Sequence, residues 1–224
     1  MNNYDIVVII ASYERYNFLV TLLKKLINSF GDFKVKIIVN NDGSKDIRYR
    51  NLKTLFKDVT FLNEKRNNGK YGYWITITNL LQESKKYNFN YLISIDDDFD
   101  ICDNFFNLLV KEHEDVKKID EKIVCTSYGT TSTEIRWGLT YWFDGGAFFD
   151  RHFIETIEFN IDKTKKVNKN RGSGVWKQVS FKLNEQEFKV HKPSENYITH
   201  LGHTDSKMHP QLRKICPLII NKTI

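Results

Sequence analysis

The segment DIVVIIA at residues 5–11 constrains the fold most strongly. After Asp5 it is an unbroken apolar run, mostly β-branched, with no polar residue alternating within it. A strand of this kind is buried on both faces, which is typical of parallel sheets covered by helices on each side. A chain of 224 residues, 41% of them hydrophobic, is long enough for one full domain around such a sheet.

Alternating apolar patterns follow this first strand. Further strands are predicted at residues 35–39, 59–62 and 91–95, and helical spacing of apolar residues occurs at 19–30 and 73–87. Strands that alternate with helices in this way predict an α/β fold with a mainly parallel central sheet flanked by helices.

Predicted strands and helices no longer alternate regularly after residue 100. Helices are predicted at residues 105–112 and 175–183, and strands at 123–127, 141–149, 188–190 and 197–200. The strand predicted at 141–149 is interrupted by Gly145 and Gly146, and residues 160–173, which are polar and basic, are predicted to form a loop.

Charge and cysteine content restrict the class of protein. The net charge of +6 suits an anionic partner. Cys102, Cys125 and Cys216 form no CxxC motif, so a disulfide framework or a cysteine zinc site is not expected and a reducing compartment is favoured. The apolar run at 6–11 is too short for a signal peptide or a membrane span. We therefore expect a soluble, cytoplasmic protein without a transmembrane segment.

Three predicted strands end in polar residues. These ends are residues 12–15 (SYER), 41–44 (NDGS) and 96–98 (DDD). In open α/β sheets, ligands bind at the carboxyl ends of the strands, so these residues are expected along one edge. Closely spaced carboxylates repel unless a cation relieves them, and hard oxygen ligands suit Mg²⁺ or Mn²⁺.

The acidic end has two other interpretations. A solvated acidic loop is the plain alternative to a cation site. An EF-hand would place Ile101 where its loop needs glycine and Asn107 where it needs glutamate, so it is rejected.

Several motifs in order resemble a known family. They are IIASYERYNFL, IIVNNDGSKD, NNGKYGYW and YLISIDDDFD, followed by GGAFFDRHFIETI and ITHLGHTDS. Together they resemble the GT-A glycosyltransferases, in particular the family-two-like group of inverting enzymes, over residues 5 to 205. The resemblance implies a single Rossmann-like GT-A domain over residues 1–224. Residues 1–100 would bind the nucleotide sugar, 101–210 would face the acceptor and 211–224 would form a tail.

The resemblance also implies roles for individual residues. A nucleotide-diphosphate sugar, favoured as UDP-linked, would be the donor substrate, with Mn²⁺ or Mg²⁺ as the metal. The family usually has proline where this chain has Ala11, and Asp42 matches the acid that contacts a uracil-like edge. The residues implied at the nucleotide are Ala11, Tyr13, Glu14, Asp42, Lys65, Arg66, Asn68, Asp96 and Asp97, and those implied at the metal are Asp96, Asp98 and His203.

The positions of the histidines relative to the predicted strands indicate different roles. GT-A sites often take a ligand from a histidine near the C-terminus, and His203 lies in a loop beyond a predicted strand. His200 ends that strand and is interpreted as a core histidine. The remaining histidines before it, His113, His152 and His191, are predicted at the surface.

The catalytic base is where the chain departs from its relatives. They carry an acidic pair near the start of the late helix, whereas residues 172–177 (GSGVWK) contain no acid. Asp144 is the nearest alternative, with Glu134 and Asp162 as weaker candidates. If none of them serves, a retaining reaction, an unusually acidic acceptor or an inactive protein are the remaining possibilities.

The resulting hypothesis is a metal-dependent, inverting glycosyltransferase. The acceptor would be a hydroxyl on a glycan, a lipid-linked glycan or a modified nucleic-acid base. A non-catalytic sugar-nucleotide or glycan binder is the alternative, supported by the missing base. A sugar nucleotidyltransferase is disfavoured because ASYERYNF lacks a glycine-rich phosphate loop.

Overall fold

The computed structural model describes residues 3–128, 130–132, 142–144, 146–161, 175–193, 195 and 197–201. The strands are β1 (Ile6–Ser12), β2 (Val35–Asn41), β3 (Thr60–Asn63), β4 (Tyr91–Asp96), β5 (Phe99–Ile101), β6 (Ile123–Ser127), β7 (Thr130–Ser132), β8 (Trp142–Asp144), β9 (Ala147–Asp150), β10 (Lys189–His191) and β11 (Ile198–His200). The helices are α1 (Tyr16–Asn28), α2 (Leu52–Leu55), α3 (Gly69–Ser84), α4 (Phe105–Ile119), α5 (Arg151–Thr156) and α6 (Val175–Glu185), and a 3₁₀ helix spans Ile47–Asn51.

The described strands build a seven-stranded sheet in the order β10-β6-β9-β4-β1-β2-β3. Neighbouring strands from β4 to β3 are parallel, β10 is parallel to β6, and β9 is antiparallel to both of its neighbours. The predicted α/β fold with a mainly parallel, helix-flanked sheet is therefore confirmed.

The central strand β1 explains why its sequence is apolar throughout. Ile6, Val8 and Ile10 pack into one core, where α1 and α4 cover the sheet. Val7 and Ile9 pack into the other, under α3, α5 and α6. Because successive strand residues point to opposite faces, a strand with helices on both sides must be apolar at every position. Among the helices of the described residues, none has the length and apolar character needed to cross a bilayer.

The predicted strand at residues 141–149 is two strands. β8 pairs with β7 in a small antiparallel sheet, whereas β9 lies in the main sheet between β4 and β6. Gly146 precedes β9, and a side chain there would meet the ring of Tyr128, whose Cε2 would lie 2.4 Å from the added Cβ. The glycine thus allows Tyr128 to pack over the chain and donate a hydrogen bond to the Ser94 carbonyl (2.7 Å).

The prediction that His113 lies at the surface is wrong. Its side chain is 0% exposed. Nδ1 lies 2.7 Å from Thr126 Oγ1, and Nε2 lies 3.1 Å from Asp150 Oδ1. Lys117 also pairs with Asp150, at 2.9 Å. This polar network ties α4 to β6 and β9, and it satisfies the buried imidazole as a buried polar group requires.

Gly146→Ala tests the packing of Tyr128. We expect the free energy of unfolding to fall by about 1–3 kcal/mol, because the added methyl overpacks against a ring that is hydrogen-bonded in place. Urea unfolding measures the loss. In a Tyr128→Leu background the alanine should cost less than half as much, and an equal penalty in both backgrounds would contradict the proposed clash.

Candidate functional site

The polar strand ends meet at one edge of the sheet, as predicted. The Asp42 amide donates to the Ser12 carbonyl (2.9 Å), and the Ser12 hydroxyl donates to Asp97 Oδ2 (2.7 Å). The Tyr49 hydroxyl, from the 3₁₀ helix after β2, lies 2.7 Å from Ser12 Oγ. The ends of β1, β2 and β4 are thus joined by direct hydrogen bonds.

The Arg15 side chain pairs with two of the carboxylates at this edge. One guanidinium nitrogen, Nη1, lies 3.1 Å from Asp97 Oδ1 and 2.6 Å from Asp98 Oδ2. The Asp97 and Asp98 side chains are only 3% and 2% exposed, whereas Arg15 is 27% exposed. The arginine side chain therefore lies between the buried carboxylate pair and solvent. Arg15 belongs to the SYER segment, but the sequence pattern indicates no role for it.

The surroundings of Asp97 and Asp98 shift the pKa values of the two carboxylates in opposite directions. Burial raises the pKa of Asp97 to about 7, despite the opposing effects of Arg15 and the Ser12 hydroxyl. Burial also acts on Asp98, but the hydrogen bond with His200 and the charge of Arg15 outweigh it and lower its pKa. Burial alone would lower the pKa of Arg15, but Asp97 and Asp98 raise it. Asp98 is therefore the carboxylate that stays charged at neutral pH.

The C-terminal strand brings a histidine to the same carboxylate. β11 pairs antiparallel with β5, with His200 opposite Phe99, and the Leu201 amide donates to the Asp98 carbonyl (2.8 Å). His200 Nε2 lies 3.4 Å from Asp98 Oδ2. Sequence analysis assigned His200 to the core and His203 to the metal. His203 lies outside the described residues.

Asp96 lies on the more open side of the acidic cluster. It ends β4 opposite Ala11 of β1, and the Tyr73 hydroxyl of α3 donates to its Oδ1 (3.2 Å). Tyr73 has no assigned role in the sequence analysis. No signal in the sequence alone connects the first turns of α3 with the end of β4.

Asp42 faces inward, toward the loop between β3 and α3. Its Oδ1 accepts hydrogen bonds from the Asn68 amide (3.0 Å) and side chain (2.8 Å), and its Oδ2 accepts one from Asn67 (3.0 Å). Burial raises the pKa of Asp42, against the effect of the bonds from Asn68 and Thr76. Asp42 therefore fastens this loop to the end of β2.

Gly43 lets the same loop lie directly on the β2 turn. Its φ is +70°, and a Cβ there would lie 2.3 Å from the Arg66 carbonyl carbon. Glycine alone fits such an approach without strain. The loop carries the exposed side chains of Lys65 and Arg66 past this point.

The segment after β1 forms the other wall of the site. Glu14, at φ +55°, donates its amide to Ser44 Oγ (2.9 Å) and accepts the Lys45 amide at Oε1 (2.6 Å). Tyr13 is 43% exposed beside this wall. An exposed aromatic ring can stack on a planar ligand.

The candidate base is described only by its backbone. Asp144 lies in β8 opposite Thr130 of β7. Glu134, Asp162 and residues 172–174 lie outside the described part of the chain.

The carboxylate oxygens of the acidic cluster are suitable ligands for a divalent cation, but Arg15 contacts one of them. Both carboxylate oxygens of Asp98 are shielded from solvent, and among the described residues none donates a hydrogen bond to Oδ1. Asp96 and Asp98 would hold such an ion, as hard oxygen ligands. In the described arrangement Arg15 lies against Oδ2, and no group of three or more His, Cys, Asp or Glu side chains among the described residues is placed to hold a metal.

Residues 7–186 match the model of glycosyl transferase family 2. The chain belongs to this family. The match covers well over half of the sequence and includes the ends of β1, β2 and β4, whereas His200 in β11 lies beyond it. Curated protein sequences gave no match to this chain.

Solved structures with the same fold agree with the family assignment. The mannosyltransferase PcManGT from Pyrobaculum calidifontis, in complex with GDP-Man and Mn²⁺, has a TM-score of 0.61 at 15% identity, covering 86% of this family 2 chain and 55% of that chain. S. aureus TarS 1–349 gives 0.59 at 12% identity, covering 87% and 59%, and its complex with UDP gives 0.58 at 11%, covering 87% and 59%. This chain therefore spans 55–59% of the length of these three, and the likeness shows the GT-A fold.

Asn68→Asp tests whether Asp42 fastens the loop of this family 2 domain. The substitution replaces the side-chain donor to Asp42 by a second carboxylate, so we expect the free energy of unfolding to fall by about 1–3 kcal/mol at pH 7–8. The loss should shrink toward about pH 4, because protonation of either carboxyl relieves the repulsion. Urea unfolding at each pH measures it.

Asn28→Asp is the matched control, since Asn28 is exposed at the end of α1. It should cost only a few tenths of a kcal/mol, roughly, from the helix dipole. An equal loss for both variants would contradict the role of Asp42.

Proposed function

We propose that this protein transfers a sugar from a nucleotide-diphosphate sugar, UDP-linked, to an acceptor hydroxyl. The observation that carries the proposal is the charged edge of the sheet, where Asp96, Asp98 and Arg15 lie together beside an exposed tyrosine. Membership of glycosyl transferase family 2 supports the reaction class. Structural neighbours crystallised with GDP-Man and Mn²⁺ or with UDP support the donor class.

The donor would lie across the two walls of the site. Ala11, Tyr13 and Glu14 would surround the nucleobase, with the Tyr13 ring available for stacking. Asp96 and Asp97 would lie toward the ribose. Asp42 would act through Asn68, because its oxygens already hold the loop that presents Lys65 and Arg66 to the diphosphate.

In the proposed sugar transfer, the nucleoside diphosphate of the donor is the leaving group. A divalent cation, Mn²⁺ or Mg²⁺, held by Asp96, Asp98 and His203, would stabilise negative charge on the leaving group. Lys65 and Arg66 would contribute further positive charge near the same phosphates. In an inverting reaction a carboxylate on the opposite face deprotonates the acceptor hydroxyl, and Asp144 is our candidate for that role.

The acceptor would be a glycan, a lipid-linked glycan or a modified nucleic-acid base. A net charge of +6 is compatible with an anionic acceptor, since electrostatic attraction raises encounter rates with polyanions. A non-catalytic nucleotide-sugar binder is the second candidate, because residues 172–177 contain no acid.

Asp96→Asn tests the donor site. We expect the wild-type protein to be stabilised by UDP or a UDP-sugar in the presence of Mn²⁺, by about 2.7 kcal/mol at a ligand concentration one hundred times Kd. Asp96→Asn should weaken that binding about tenfold or more, because it removes a carboxylate that would hold the divalent cation. Urea unfolding with and without ligand measures the stabilisation, and calorimetric titration measures the affinity, with GDP and GDP-mannose included.

Two variants calibrate this result. Tyr73→Phe removes only the hydroxyl that contacts Asp96 and should weaken binding by less. Asp58→Asn removes an exposed acid outside the site and should leave the affinity unchanged. The proposal is wrong if none of these nucleotides binds the wild-type protein.

Asp144→Asn helps to distinguish a glycosyltransferase from a non-catalytic nucleotide-sugar binder. If Asp144 is the base, transfer should fall by about 10²–10⁴-fold while nucleotide affinity stays the same. Single-turnover transfer and calorimetric titration measure the two quantities. Asp103→Asn, at an exposed position before α4, should change neither. Wild-type rates in Asp144→Asn would remove Asp144 from the mechanism, and a wild-type protein that binds nucleotide sugars but neither transfers nor hydrolyses them would favour the binder.

A further inference from the structure

Arg15 and the acids it contacts differ sharply in their freedom to move. The Asp97 and Asp98 side chains are almost fully buried at the turn between β4 and β5. Arg15 precedes the first turn of α1, and its backbone amide is held separately by a hydrogen bond to the Tyr49 hydroxyl (3.1 Å). Its guanidinium can therefore leave the carboxylates by side-chain rotation, while the carboxylates cannot leave the site without disrupting the fold.

Arg15 already supplies the charge compensation that a bound cation would supply. A carboxylate buried without a partner is strongly unfavourable, and Arg15 satisfies Asp97 and Asp98 at the same time. A divalent cation on Asp98 would lie within a few ångströms of the guanidinium, where two positive charges repel strongly in a partly buried setting.

We propose that Arg15 and a divalent cation are alternative partners of Asp98, so that Arg15 lowers the affinity of the free protein for the cation. A bound nucleotide diphosphate offers the displaced guanidinium a new anionic partner, because arginine pairs well with phosphate. Nucleotide and cation should therefore promote each other's binding through Arg15. This last step rests on the proposed function, whereas the competition at Asp98 does not.

The other charged groups at the cluster do not replace Arg15 in this role. His200 approaches Asp98 at 3.4 Å from β11, and Asp96 accepts a hydrogen bond from Tyr73. Lys25 of α1 pairs with Asp100, two residues beyond Asp98. Lys25 therefore gives a matched control: a cation on the same helix, paired with an acid of the same segment.

The experiment measures Mn²⁺ binding without nucleotide, from the electron paramagnetic resonance signal of free Mn²⁺. Arg15→Gln should bind Mn²⁺ about tenfold more tightly than wild type, within the range typical of coupled sites. Lys25→Gln should stay close to wild type. Asp98→Asn in the Arg15→Gln background should abolish the gain. Equal or weaker Mn²⁺ binding in Arg15→Gln overturns the proposal.

A second variant covers the case in which Arg15→Gln does not fold. Arg15→Gln combined with Asp97→Asn removes one positive and one negative charge, so the net charge of the buried cluster is kept and Asp98 remains. It should also bind Mn²⁺ about tenfold more tightly than Asp97→Asn alone. No difference between these two proteins overturns the proposal.

Adding UDP separates this inference from the proposed function. In wild type, UDP should tighten Mn²⁺ binding about tenfold or more, and in Arg15→Gln the gain should be smaller, because the competitor is gone. An undiminished gain in Arg15→Gln overturns the coupling through Arg15. If UDP and GDP bind neither protein, the donor assignment fails, while the comparison without nucleotide still decides the competition at Asp98.

Discussion

The ion pairs of Arg15 with Asp97 and Asp98 hold together the edge on which the rest of the site depends. Two carboxylates lie at the end of β4 with almost no access to water, and such a pair is stable only when a cation and hydrogen bonds accompany it. Ser12, at the end of β1, donates a hydrogen bond to Asp97, and the Tyr49 hydroxyl, from the 3₁₀ helix after β2, lies within hydrogen-bond distance of the Ser12 hydroxyl. One charge requirement thus fixes how three parts of the chain meet.

The elements that sequence analysis located are those with a strong local pattern. β1, β2 and β4 are apolar because helices cover both of their faces, and that signal survives in the sequence. β5 was missed because it is three residues long and is defined by pairing with β11, about a hundred residues later. The burial of His113 was missed for the same reason, since its partners Thr126 and Asp150 arrive through tertiary structure.

The candidate site, like the fold, was predictable only in part. That the polar strand ends share one edge followed from parallel topology, and hydrogen bonds between them confirm it. The direction in which each side chain points did not follow. Asp42 turns toward Asn68 because Gly43 lets the loop descend onto it. His200 reaches Asp98 because β11 folds back onto β5. Neither contact can be predicted from the spacing of residues or the composition of the sequence.

Arg15 changes what the acidic triplet means physically. Three adjacent aspartates suggest a site that awaits a cation, yet one cation is part of the chain and already contacts two of them. Because the cluster is balanced in this state, an incoming divalent ion must displace positive charge as well as gain ligands. A diphosphate brings negative charge that can accept the displaced guanidinium. For the proposed donor, charge balance therefore favours binding of cation and diphosphate together over binding of either one separately.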